Sequence, residues 1–159
     1  KKVFSYFEQM GAKIGHGAEL TVGPTGGRLR GCSIDMNETP DALPAMAVAA
    51  ALAEGETRLL NVPQARVKET DRIAVMASEL GKMGADIEEL PDGMIIRGGR
   101  LHGAEVSSFA DHRIAMALAV AGLAADGETV IDGAEAASVT YPDFIRDFQN
   151  IGADFTVIQ

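Results

Sequence analysis

One cysteine, no tryptophan and only three histidines occur in 159 residues, and lysine plus arginine (14) fall well short of aspartate plus glutamate (23). With Cys32 alone, no intrachain disulfide can form and no cysteine-based zinc cluster can assemble within the chain. That usage fits a reducing compartment, and a cytoplasmic location is expected. His16, His102 and His112 lack the close spacing of a helical metal site, so each reads as a surface or hydrogen-bonded residue and no metal is expected. The net charge of −9, without a Lys/Arg-rich run or an aromatic platform, argues against nucleic acid as a partner. No apolar stretch approaches the roughly 20 residues needed to cross a bilayer, so no membrane partner is expected either. Lys1-Lys2-Val3-Phe4 leads into no apolar segment with a small-residue cleavage site, so a secretory leader is not read here. An initiator methionine is also missing, and a helix-like pattern (Val3, Phe4, Phe7, Met10) is already running. The chain is therefore expected to be a piece of a larger protein, with residues 1–159 forming a single partial domain.

What is present is globular text. Apolar residues make up 47% and charged residues 23%, a balance that can bury a core, in a length that suits one domain and not two. If the ligand is an anion, its site must be a local cationic island in an acidic protein. That favours a small, tightly held anion over a polyanion.

The sequence also repeats itself. Met10-Gly11-Ala12-Lys13-Ile14, Met83-Gly84-Ala85-Asp86-Ile87 and Ile151-Gly152-Ala153-Asp154-Phe155 each close a helix with a glycine suited to the left-handed C′ position. Each leads to strand-like text: Glu19–Val22, Met94–Arg97 and Phe155–Ile158. Interleaved with these, Asp41-Ala42-Leu43-Pro44-Ala45-Met46 returns as Asp111-His112-Arg113-Ile114-Ala115-Met116. From Ala42 to Ala53 and from Ile114 to Ala125 no polar side chain occurs, which reads as two helices buried all round. Turns at Gly55-Glu56-Thr57 and Gly127-Glu128-Thr129 follow, then strands such as Thr57–Leu60. The unit recurs about every 70 residues, too long for a common solenoid repeat and suited to a supersecondary α/β unit around a shared helical core. Gly23-Pro24-Thr25-Gly26-Gly27 lacks a following Lys-Ser/Thr and reads as a hairpin turn, not a phosphate loop.

One run stands apart. Lys68-Glu69-Thr70-Asp71-Arg72 precedes Ile73, Met76, Ala77, Leu80 and Met83, which share one face of a helix. Thr70 is the expected N-cap. The unpaired N–H groups and positive dipole end of a first turn favour anions, and Lys68 and Arg72 strengthen that preference. Glu69 puts a proton-transfer group beside whatever binds. Charged residues also crowd helix starts for solubility alone, so the run gains meaning only with partners elsewhere. Asp41 and Asp111 are each expected to cap a buried helix. Asp41 also follows an irregular stretch, Asn37-Glu38-Thr39-Pro40, where functional side chains tend to be exposed. Arg113, in the first turn of an apolar helix, either pairs with an acid or faces a bound anion.

Taken together, Met36-Asn37…Pro40-Asp41-Ala42, Arg66 to Arg72, Asp111 to Met116 and Thr140-Tyr141-Pro142-Asp143-Phe144 resemble the 5-enolpyruvylshikimate-3-phosphate synthase family over essentially the whole chain. The Lys-Glu-Thr-Asp-Arg run is specific to that family; the related UDP-N-acetylglucosamine enolpyruvyl transferases share the fold without it. The resemblance implies an α/β fold, an inside-out α/β barrel of repeated βαβαββ units, incomplete in this chain. It implies transfer of the enolpyruvyl group of phosphoenolpyruvate to the 5-hydroxyl of shikimate 3-phosphate, with release of phosphate and no cofactor. It further implies that Glu69 exchanges a proton with C3, that Asp41 is the base at the hydroxyl and that His112 assists. Substrate contacts are implied for Asp41, Gln64, Lys68, Arg72 and Arg113, with the missing N-terminal portion of the same enzyme as the partner that completes the site.

The chain departs from the family at Val139, where many members carry a lysine, and at Gln64, where an asparagine is usual. The N-terminal substrate motifs are absent, so the chain alone is expected to be inactive, and an incomplete barrel is expected to expose apolar seams and to associate. Two alternatives remain: a non-catalytic interaction module on this fold, or a related transferase with another acceptor.

Overall fold

The computed structural model describes residues 2–23 and 26–158. Two units with the same element order follow one another. The first is α1 (Lys2–Gln9), β1 (Lys13–His16), β2 (Leu20–Gly23), β3 (Ser33–Asp35), α2 (Leu43–Leu52) and β4 (Glu56–Leu60). The second is α3 (Arg72–Lys82), β5 (Asp86–Leu90), β6 (Gly93–Arg97), β7 (Glu105–Ser107), α4 (His112–Ala124) and β8 (Val130–Asp132), and α5 (Phe144–Asn150) follows. The expected glycines close α1, α3 and α5 with φ of +94° at Gly11, +90° at Gly84 and +100° at Gly152. A side chain is disfavoured in that left-handed region.

The sheets tie one unit to the next. Strands β3 and β4 of the first unit run parallel, and β6 of the second adds antiparallel to β4, giving the order β3-β4-β6-β5. Strands β7 and β8 repeat the parallel pair, and β1 with β2 repeats the hairpin. Residues 155–158, expected as a strand, have no regular structure. They correspond to the outer hairpin arm β5, whose sheet hydrogen bonds go to β6 alone. A strand needs a neighbour to accept its backbone groups, and no strand among the described residues lies beside 155–158.

Three helices meet inside. Ile73, Met76 and Leu80 of α3 are fully buried against Leu43, Met46, Ala47 and Ala50 of α2 and Ile114, Leu118 and Ala121 of α4, in one core. Small residues on α2 and α4 let these helices and the strands approach closely. The two are not buried all round, however. Ala45 is exposed, and Val120 and Leu123 remain 38% and 42% exposed. Between α2 and α4 lies an open groove of about 500 Å³, lined by Pro44, Val48, Ala49, Met116 and Val120, with Asp41 and Arg113 at its mouth. This is the apolar seam anticipated from the sequence.

Two further expectations change, and a third lies partly outside the described residues. The cap of α3 is Asp71, whose carboxylate accepts from the Ala74 amide at 3.0 Å; the Thr70 hydroxyl is turned to Asp111 instead. Asp41 caps nothing: a 3-10 turn over Pro40–Ala42 precedes α2, and Pro44 in the first turn has no N–H to satisfy. The hairpin turn read at Gly23–Gly27 includes Pro24 and Thr25, which lie outside the described residues; the link between β1 and β2 is formed by residues 17–19.

Candidate active site

Arg72 is the hub. It opens α3 with its side chain fully buried, an uncommon place for a guanidinium unless it is paired. Its Nε donates to Asp111 Oδ2 at 2.8 Å, Nη1 to Asp41 Oδ1 at 2.8 Å, and Nη2 to Glu69 Oε2 at 2.6 Å. Asp111, also fully buried, is engaged at both oxygens. Its Oδ1 accepts from the Arg113 amide at 2.9 Å as the cap of α4, and its Oδ2 accepts from the Thr70 hydroxyl at 3.3 Å as well as from Arg72. One carboxylate thus joins the starts of α3 and α4.

The rim is more open. Lys68 Nζ reaches Asp41 Oδ1 at 3.3 Å, and Arg113 Nη2 reaches Asp41 Oδ2 at 3.4 Å. Glu69 is half exposed, with Oε1 4.0 Å from His112 Nδ1. Asp41, Lys68, Glu69, Arg72, His112 and Arg113 therefore form one network drawn from three helix starts. Gln64 stands one step away: its amide donates to the Asn37 carbonyl at 2.9 Å and to Asn37 Oδ1 at 2.8 Å, steadying the segment before Asp41. Val139 ends a 3-10 segment over Ala134–Val139 and is 74% exposed.

Two supports were not read from the sequence. Arg66 fixes the Asp71 end of the Lys68–Asp71 loop. It donates to Asp71 Oδ2 and Glu89 Oε1 at 2.7 Å each and to the Pro91 carbonyl at 2.8 Å, locking the loop to the β5–β6 hairpin. Asp111 was assigned to capping alone. Its second role could have been found from the repeat, since it occupies the place of Asp41 in the other unit and both acids face the same arginine. The segment before it is strained: Phe109 and Ala110 have φ of +51° and +59°, a conformation that costs non-glycine residues of order 1–3 kcal/mol each. The Ser107 and Ser108 hydroxyls accept from the Phe109 and Ala110 amides, and Glu79, buried on α3, accepts from the Ser107 amide at 2.8 Å.

The charges set one another. Burial alone would raise the Asp41 carboxyl, but Arg113, Lys68 and Arg72 hold it below the usual aspartate range. Burial opposes ionisation of Asp111 too, and the Arg72 bonds and helix amides overcome it, so this carboxyl also stays low. Arg72 is raised, its own burial outweighed by Asp111, Glu69 and Asp41. Chemically, the arrangement offers cations able to seat an oxyanion beside two half-exposed carboxylates able to move protons. Of the five N–H groups of Arg72, Nε and the two of Nη2 go to Asp111 and Glu69 and one of Nη1 goes to Asp41, so a ligand that takes more than one of them displaces a carboxylate.

Comparison with known proteins identifies the family and the fold. The family model of EPSP synthase (3-phosphoshikimate 1-carboxyvinyltransferase) matches residues 1–148. The 3-phosphoshikimate 1-carboxyvinyltransferase of Ruminiclostridium cellulolyticum is 58% identical over 158 residues, covering 99% of this chain and 37% of that protein. The solved EPSP synthase from Acinetobacter baumannii matches with a TM-score of 0.88 at 34% identity, over 99% of this chain and 40% of that one. The enolpyruvyl transferase NikO from Streptomyces tendae matches with a TM-score of 0.80 at 25% identity, over 96% and 35%. Repeated α/β units with a charge cluster at their helix starts thus belong to the enolpyruvyl transferase fold. Within that class, the chain is a member of the EPSP synthase family. It spans a little over a third of the length of the curated relatives it matches (37%).

Proposed function

We propose that this chain is the C-terminal portion of a 3-phosphoshikimate 1-carboxyvinyltransferase. In this reading it forms one wall of a site that moves the enolpyruvyl group of phosphoenolpyruvate to the 5-hydroxyl of shikimate 3-phosphate. The observation that carries the reading is the convergence of Lys68, Arg72 and Arg113 on Asp41 beside Glu69, at the starts of helices from separate repeats. The family membership of the chain supports it. The remaining substrate contacts come from the part of the relatives' length that this chain does not span.

The chemistry follows from the side chains. Lys68, Arg72 and Arg113 hold the phosphate and carboxylate of phosphoenolpyruvate and neutralise charge as it develops. Glu69, as the acid, delivers a proton to C3 while the acceptor hydroxyl oxygen bonds to C2 and its proton passes to Asp41. The reverse proton transfer, from the new methyl group to Glu69, expels phosphate and restores the double bond. His112, 4.0 Å from Glu69, assists proton movement to and from that carboxyl. Gln64 positions the Asn37 segment that precedes Asp41.

The test combines this chain with the complementary segment of the Ruminiclostridium cellulolyticum relative and measures phosphate release from phosphoenolpyruvate. Release that requires both segments and shikimate 3-phosphate is the expected result, with either segment alone inactive. A combined protein that assembles but releases nothing rejects the reading. Release indifferent to shikimate 3-phosphate moves it to another acceptor. In the active combination Glu69→Gln should keep substrate binding and lower turnover by about 10²-fold or more, as loss of a positioned acid does. Near-normal turnover would remove Glu69 from its role.

A further inference from the structure

Every cation of the cluster has a carboxylate partner within the chain. Lys68, Arg72 and Arg113 meet Asp41, and Arg72 meets Glu69 and Asp111 as well. Three positive and three negative side chains cancel, which leaves no local excess of positive charge in a molecule of net charge −9. Such a site attracts an anion poorly unless one carboxylate withdraws.

The contacts show which one yields. Asp111 is fully buried and holds two helix amides, the Thr70 hydroxyl and Arg72 at once. Glu69 makes a single close bond, to an arginine that is itself immobilised by Asp111. Asp41 differs from Asp111 in being half exposed and capping no helix, and from Glu69 in being the carboxylate that meets Lys68 and Arg113. It sits in a 3-10 turn beside the α2–α4 groove. Two of its three cations reach it only at 3.3 and 3.4 Å, and among the described residues neither Lys68 nor Arg113 has another ion pair.

We propose that Asp41 is a resident counter-ion: its carboxylate occupies the seat of the substrate oxyanion, and binding is an exchange in which that oxyanion takes Asp41's place on Lys68 and Arg113. The inference rests on the reading above, that the cluster handles an anionic substrate, and adds how the charges of the cluster are balanced and when Asp41 is released. Between substrates, Asp41 stops Lys68, Arg72 and Arg113 from repelling one another. On exchange it loses Lys68 and Arg113, two of the three cations that keep its carboxyl low. Its partial burial remains and acts in the opposite direction, and only Arg72 still holds it. Asp41 therefore becomes a better base only when an oxyanion is seated, which couples loading to proton removal.

The experiment uses the 159-residue chain and inorganic phosphate at low ionic strength, followed by calorimetry and by the carbon-13 carboxyl signal of Asp41. Asp41→Asn should bind phosphate about tenfold more tightly than the unaltered chain, the factor expected for removing one competing charge at close range. Glu128→Gln, an exposed carboxylate beyond the far end of α4, controls for net charge and should leave binding unchanged. In the unaltered chain, saturating phosphate should raise the midpoint at which Asp41 titrates. That second measurement stands even if the Asp41→Asn protein fails to fold. Equal or weaker binding by a folded Asp41→Asn, or an Asp41 midpoint that stays put or falls, overturns the exchange and leaves the proposed function standing. Absence of phosphate binding by both forms overturns the exchange, and the combined-segment assay above decides the proposed function separately.

Discussion

Arg72 and Asp111 show what a buried charge demands. Neither side chain has any exposed surface, and the pair is bonded at 2.8 Å with the remaining donors and acceptors almost all used. Removing Asp111 takes from Arg72 its one fully buried counter-ion and leaves it with the half-exposed rim carboxylates Asp41 and Glu69. Asp111→Asn should therefore cost about 3–5 kcal/mol, measured as a lower urea midpoint. Replacing both residues by apolar ones of similar volume should recover part of that loss, because no charge is then left unpaired. A midpoint unchanged in Asp111→Asn would mean that Arg72 is held by the rim carboxylates alone. Which of these residues touch was only partly legible beforehand. The residue types and spacing marked Lys68, Glu69, Arg72 and Arg113, and the irregular stretch Asn37-Glu38-Thr39-Pro40 marked Asp41. The pairing of Arg72 with Asp111 was hidden because an aspartate at a helix start already has a sufficient local explanation.

At the scale of elements, helix starts do most of the positioning. Asp71 accepts from the Ala74 amide with one oxygen and from Arg66 with the other, so the first turn of α3 and the loop carrying Lys68 and Glu69 are fixed by the same carboxylate. Asp71→Ala should cost about 1–2 kcal/mol, the usual size of a lost cap with a partly buried ion pair added. Amide exchange should rise over 68–74 and stay unchanged in α2; a uniform rise would contradict this local role. Helix periods and closing glycines were readable because they depend on neighbours along the chain. Thr70 and Asp71 were not separable in that way, since both are good caps and the choice rests on Asp111, 41 residues further on, engaging the Thr70 hydroxyl.

For the whole molecule, acid is the informative variable. Asp41 and Asp111 both titrate below the ordinary aspartate value in the folded state. A carboxyl depressed on folding contributes stability that is complete above its unfolded pKa, about 3.9, and is lost as pH falls through the folded value. Stability should thus be flat from neutral pH down to about pH 5 and then drop, and Asp111→Asn should flatten that drop, read from urea midpoints across pH 2–7. A drop of the same size in Asp111→Asn would place the acid sensitivity elsewhere.

Local rules written along the chain determined the repeat, most of the order of its helices and strands, the closing glycines and part of the charged cluster. Those properties arise from backbone preference and side-chain periodicity within a few positions. Tertiary structure alone decided that β4 takes its antiparallel neighbour from the next repeat, that residues 155–158 stay without a partner strand, and that Asp41 faces three cations instead of capping α2. Each of these depends on which groups remain unpaired once distant segments meet, and spacing along a single chain does not encode that.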